Sequence, residues 1–107
     1  MRPGRTQRLG SLMQRLAAEF LQREIAARLI ITVNRAEVID DGQRAKIYVT
    51  IFPDEAERGG LAELKRLRWP LQRFLQKQIP LKRVPAFSLV IDEEEKLKNK
   101  YGTVAKG

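Results

Sequence analysis

The sequence predicts an α+β fold, with a three-stranded mixed sheet and helices packed on one of its faces. Apolar residues recur at helical spacing near the N-terminus. They then alternate with polar ones through two consecutive segments, and return to helical spacing before a last short alternating run. The turn Asp40-Asp41-Gly42 joins the two alternating segments. A chain of 107 residues suits one domain. The expected order is α-β-β-α-α-β, with a single domain over residues 1–92 and a charged tail over 93–107.

The first helix is expected over about Gln7 to Ala27, where Leu9, Leu12, Met13, Leu16, Ala17, Phe20 and Ile25 fall three to five residues apart. Ser11 is an alternative N-cap, which would leave the residues before it as a basic arm. Leu29 to Ile39 is rich in β-branched residues and reads as a strand. Gln43 to Phe52 reads as a second strand, with Ala45, Ile47, Val49 and Ile51 on one side and Arg44, Lys46, Tyr48 and Thr50 on the other. Gly59-Gly60 reads as a loop breaker. Leu61, Leu64 and Leu67 then mark a short helix ending at Trp69-Pro70, because proline disfavours helical geometry in the residue before it. A second short helix starts near Pro70, runs through Leu71, Phe74, Leu75 and Ile79, and closes at Pro80, which places a sharp bend between the two. Ala86 to Asp92 is the third strand. The tail from Glu93 is expected to be a frayed helix or disordered.

Composition excludes several chemistries. The chain has no cysteine and no histidine, so it lacks a disulfide, a thiolate site, and the commonest general base and metal ligand. The longest apolar run, Leu29-Ile30-Ile31-Thr32-Val33, is far short of the roughly 20 residues that span a bilayer. No signal-peptide run follows Arg2, Arg5 and Arg8, and a cytoplasmic protein is expected. Asp40-Asp41 is turn chemistry. The acids Asp92 to Glu95 read as a solvated segment before they read as a metal site. No catalytic residue, metal or cofactor is expected.

Net charge is +8, and its distribution says more than its total. Residues 1–28 hold six Arg against two Glu, for +4. Residues 29–57 hold three basic and six acidic groups, for −3, and residues 84–107 balance. Residues 58–83 carry eight basic groups against Glu63 alone, for +7. Two cationic blocks point to a polyanionic partner.

The order of elements is that of a type II KH domain, and local sequence narrows it. Ala45-Lys46-Ile47-Tyr48-Val49 resembles the A-K-V-Y-V strand of the bacterial ribosome-binding factor A family. Leu81-Lys82-Arg83-Val84-Pro85 resembles that family's L-R-x-x-P step into the last strand, which Asp92 closes. The likeness covers roughly residues 5–92. It implies a non-catalytic factor that binds the small (30S) ribosomal subunit and its 16S rRNA, near the decoding centre and 3′ end, during late assembly and pre-rRNA processing. A monomer is expected, with no membrane and no small-molecule substrate. Two features depart from the family. Leu67-Arg68-Trp69, followed by Pro70, stands where the family has an Ala-x-Gly kink, and the tail after Asp92 diverges. The Gly-x-x-Gly loop with which KH domains clamp single strands is absent, so docking by shape and charge is expected.

Candidate RNA contacts are Lys65, Arg66, Arg68, Arg73, Lys77, Lys82 and Arg83 in the second block, near Arg58. A solvated helix face is the plainer alternative. Arg5, Arg8 and Arg15 form a second group with Arg2, or belong to an arm with diffuse electrostatics. Trp69 is either part of the core or, at a bend beside Arg68, a platform for a base. A protein-interaction module with a basic face, a generic structured-RNA binder and a histidine-free RNA enzyme are the competing functions.

Overall fold

A computed structural model describes residues 3–25 and 27–105. Its elements are α1 (Pro3–Glu24), β1 (Ile30–Ile39), β2 (Arg44–Phe52), α2 (Glu57–Gln78), β3 (Ala86–Ile91) and α3 (Glu93–Ala105). The sheet order is β1-β2-β3, with β1 antiparallel and β3 parallel to β2. The expected class and mixed three-stranded sheet are therefore present.

Alternation in β2 puts Ala45, Ile47, Val49 and Ile51 inward, all buried. Strand β1 cannot match this by alternation alone, because its apolar residues change sides along its length. A register shift between Val33 and Arg35 solves the problem. Val33 faces Val49 before it, and Ala36 and Val38 face Ile47 and Ala45 after it. One extra residue, Asn34, thus keeps Ile31 and Val33 on the same inward side as Ala36 and Val38, while Ile30 at the strand's start is exposed. Phe87, Leu89 and Ile91 of β3 lie opposite Ala45, Ile47 and Val49 and complete the inner face.

Helices α1 and α2 cover that face. Helix α1 buries Leu9, Met13, Leu16, Ala17, Phe20 and Leu21, and it comes close enough to β1 that Gln14 Nε2 donates to the Val33 carbonyl at 2.7 Å. Phe20 and Phe74 meet across the two helices, with ring centroids 5.3 Å apart. Arg5 and Arg8 lie within α1 and not on an arm, and Ser11 is an exposed mid-helix residue, not a cap. Arg2 lies outside the described residues.

The two short helices expected around a bend at Pro70 are one continuous helix, and Gly59-Gly60 sits in its first turn. Local propensity loses to packing here. Gly60, Leu64, Leu67, Leu71 and Leu75 form one buried stripe from end to end. Gly60 lets α2 pack close to β2, since an added Cβ would stand 2.9 Å from both Cδ1 and Cγ2 of Ile51, which would have to shift.

The charged segment after β3 also folds. Asp92 is buried, and its Oδ1 accepts from the Glu95 N–H at 3.0 Å, which caps α3, while its Oδ2 lies 3.6 Å from Arg35 Nε. Glu93, Glu94 and Glu95 complement the positive end of the helix dipole, and Lys96 Nζ reaches Glu57 of α2 at 2.9 Å. The carboxylate next to it raises the Lys96 pKa above its ordinary value. We predict that Asp92→Ala lowers the local stability of α3 by about 1 kcal/mol, and that Asp92→Asn retains most of it. Amide exchange over residues 95–99 measures both; unchanged exchange in Asp92→Ala would show that the cap contributes nothing.

Candidate nucleic-acid interface

With α2 unbroken, the disposition of the basic block follows from helix geometry. The buried stripe fixes one side of the helix. Arg58, Lys65, Arg66, Trp69, Arg73 and Lys77 fall on the other, and all are exposed. Lys65 and Trp69, Trp69 and Arg73, and Arg73 and Lys77 are each four residues apart, one turn from the next. These expected residues are therefore brought together.

Arg66 is held by Glu63. Its Nε and Nη2 donate to the two carboxylate oxygens at 3.2 and 3.0 Å. That hydrogen bonding lowers the Glu63 pKa and raises that of Arg66. The pair is exposed, and such pairs open readily to a stronger anion.

Other expected residues lie apart from the stripe. Arg68 is on its flank and lines a shallow depression at the end of the sheet with Arg44, Lys46 and Ser88. Lys82 and Arg83 are exposed on the connection from α2 to β3. Arg8 and Arg15 are two turns apart on the outer side of α1, and Arg5 is exposed near its start. Helices α1 and α2 pack side by side, with Phe20 against Phe74, so the exposed Arg8 and Arg15 lie on the same helical side of the sheet as the α2 cations. Sequence reading missed Arg23, whose guanidinium sits 5.1 Å from the Phe74 ring where the two helices meet. Its place eight residues after Arg15 was the available signal.

The opposite, open face of the sheet also carries charges, and two of its basic side chains, Arg35 and Arg44, are matched internally. Arg35 lies over the Tyr48 ring at 3.8 Å and beside Asp92. Arg44 Nε donates to Asp40 Oδ2 at 2.6 Å, and Tyr48 Oη donates to Glu37 at 3.4 Å. A groove of about 410 Å³ separates α3 from one end of this face, lined by Ile30, Thr50, Phe52, Lys96 and Asn99 among others. Among the described residues, no group of three or more carboxylates is placed to hold a metal, and no helix is long and apolar enough to cross a membrane.

Comparison with known proteins adds four findings. A family model described as ribosome-binding factor A matches residues 5–103. Ribosome-binding factor A of Pseudomonas paraeruginosa is 38% identical over an alignment 94 residues long that covers 83% of this chain and 73% of that one. The crystal structure of ribosome-binding factor A from Thermus thermophilus superposes with a TM-score of 0.71 at 26% identity, over 80% of this chain and 93% of that one. A homology model of the Thermus thermophilus factor, fitted into a cryo-EM map of its 30S complex, gives a TM-score of 0.66 at 27% identity, over 78% of this chain and 90% of that one.

Proposed function

The chain belongs to the ribosome-binding factor A family, and we propose that it binds the small (30S) ribosomal subunit as a non-catalytic factor of late assembly and pre-rRNA processing. It acts in the cytoplasm as a monomer, and it meets 16S rRNA through the cationic helical layer. Its contacts are Lys65, Arg66, Arg68, Trp69, Arg73 and Lys77 on α2, Lys82 and Arg83 after it, and Arg5, Arg8 and Arg15 on α1.

The observation that carries this reading is the +7 block over residues 58–83, five of whose eight basic residues, Arg58, Lys65, Arg66, Arg73 and Lys77, are displayed along the outer side of one continuous helix. Cations fixed at one-turn intervals neutralise phosphates without reading sequence, which suits docking on a structured RNA particle. The open sheet face is a weaker candidate, because Arg35 and Arg44, two of its three basic residues, are already paired with carboxylates. The mixed sheet, with a helical crossover from β2 to its parallel neighbour β3, fits a KH-like scaffold, while the observed order has one helix there instead of two. A single helix occupies the place where a Gly-x-x-Gly clamp would join two, which supports docking by shape and charge. The relative seen in a 30S complex supports the choice of particle.

Sedimentation with small subunits across a salt series tests the proposal. Lys65→Glu combined with Arg73→Glu is expected to reduce the slope of log affinity against log salt by roughly 2, with at least an order-of-magnitude loss at low salt. Unchanged affinity and slope in this variant would sink the assignment. Binding that survives nuclease treatment of the particle would transfer it to a protein partner.

A further inference from the structure

We propose that Trp69 is a stacking platform for one unpaired base, so that the outer side of α2 takes a bulged or looped nucleotide in preference to continuous duplex. This deepens the reading of the helical layer as an RNA surface and rests on it.

Trp69 is the chain's only tryptophan, and it is 61% exposed. It lies on the outer side of α2, opposite the buried stripe of leucines. Large aromatic rings are mostly buried in folded proteins, where their area contributes most to stability, and this one contributes little there. Lys65 and Arg66 lie one turn before it and Arg73 one turn after it. Arg68 has its guanidinium carbon over the ring at 5.8 Å from the centroid, near the outer limit of a cation–π contact, a weak hold that a stacking base can displace.

A nucleotide matches this arrangement. Its base offers a flat π-face, and the phosphates on either side of it carry the charge that cations one turn away on each side would meet. A protein partner matches it less well. Such contacts centre on a contiguous apolar patch with few charges, whereas the next large exposed hydrophobic residue along α2 is Leu61, eight positions earlier and about 12 Å along the axis. Bases inside an A-form duplex are stacked on both faces and cannot present one to the ring, so the partner base is unpaired.

The lone tryptophan makes its fluorescence a direct report on the site. Full-length protein is titrated with three loop-free RNAs, each annealed from two strands: continuous duplex, the same duplex with one bulged nucleotide, and the same bulge made abasic. The bulged duplex is expected to quench the emission and to bind on the order of tenfold tighter than the other two. Labelled-RNA anisotropy extends the comparison to Trp69→Ala and Trp69→Phe, whose folding is checked by circular dichroism. Trp69→Ala is expected to bind the bulged RNA no more tightly than the continuous duplex, and Trp69→Phe to keep part of the preference. Equal quenching by all three RNAs, or a preference that survives in Trp69→Ala, overturns the proposal. Quenching by proteins extracted from the subunit but not by RNA overturns it in favour of a protein contact. Salt-dependent binding without bulge preference removes the stacking alone. Absence of salt-dependent RNA binding altogether removes the functional reading beneath it.

Discussion

Pro70→Ala is expected to raise the free energy of unfolding by about 2–3 kcal/mol. Pro70 lies well inside α2, with twelve residues of the helix before it after Glu57 and eight after it. It has no N–H, so the Arg66 carbonyl loses its helical donor, and the proline ring crowds that same carbonyl. The helix continues because Leu67 and Leu71, on either side of the proline, are both buried and hold it to the sheet. Alanine restores the hydrogen bond and keeps those leucines in place. It gives up only what a half-buried ring contributes by packing. Urea unfolding with an unchanged m-value measures the gain. A loss of stability would mean that the ring's packing outweighs its backbone penalty.

Pro70 also marks the limit of what could be read from the sequence. The hairpin was legible, because strict alternation in β2 and an Asp-Asp-Gly turn are local signals. Asp40, Asp41 and Gly42 all adopt positive φ, at 51°, 53° and 88°, the region that Asp and Gly tolerate best. Helix α2 was not legible as one element. Gly59-Gly60 and Trp69-Pro70 each ordinarily end a helix, and both were overridden by a buried stripe that spans them. Breaking the helix at Pro70 also obscured Trp69. Continued through the proline, the spacing of Leu64, Leu67, Leu71 and Leu75 places residue 69 outward without further information.

The candidate surface was legible in its chemistry and less so in its geometry. Counting charge by segment located the block over residues 58–83, but not that Arg68 turns to the sheet's end or that Glu63 engages Arg66. The first depends on what stands beside the helix, whereas the second is an i,i+3 pair within α2 that spacing alone could have shown. The cap at Asp92 followed a local rule that went unapplied. An aspartate followed by three glutamates is a helix start, with the cap first and negative charge in the opening turn. The bulge at Asn34 was signalled only by apolar residues on both sides of β1's alternation, and β2 was needed to resolve it.

Gly10→Ala is expected to destabilise the fold by about 1–3 kcal/mol, although alanine is the better helix former by about 1 kcal/mol. An added Cβ at Gly10 would stand 2.6 Å from the Ala36 carbonyl oxygen. That atom is backbone, so no side chain can rotate away. Either α1 lifts from β1 or the strand shifts. Lifting the helix also strains the bond one turn later, where Gln14 donates to the Val33 carbonyl beside the bulge. The close approach at Gly10 and the register shift at Asn34 thus depend on one another. The helix must sit low for Gln14 to reach that carbonyl, and only glycine at position 10 lets it. Gly59→Ala is the matched control, because nothing lies within 4 Å of an added Cβ there, and it is expected to gain up to about 1 kcal/mol from helix propensity alone. Thermal or urea unfolding of the two variants should therefore move in opposite directions. A gain in both would mean that α1 rides higher on the strand than its 2.7 Å bond from Gln14 requires.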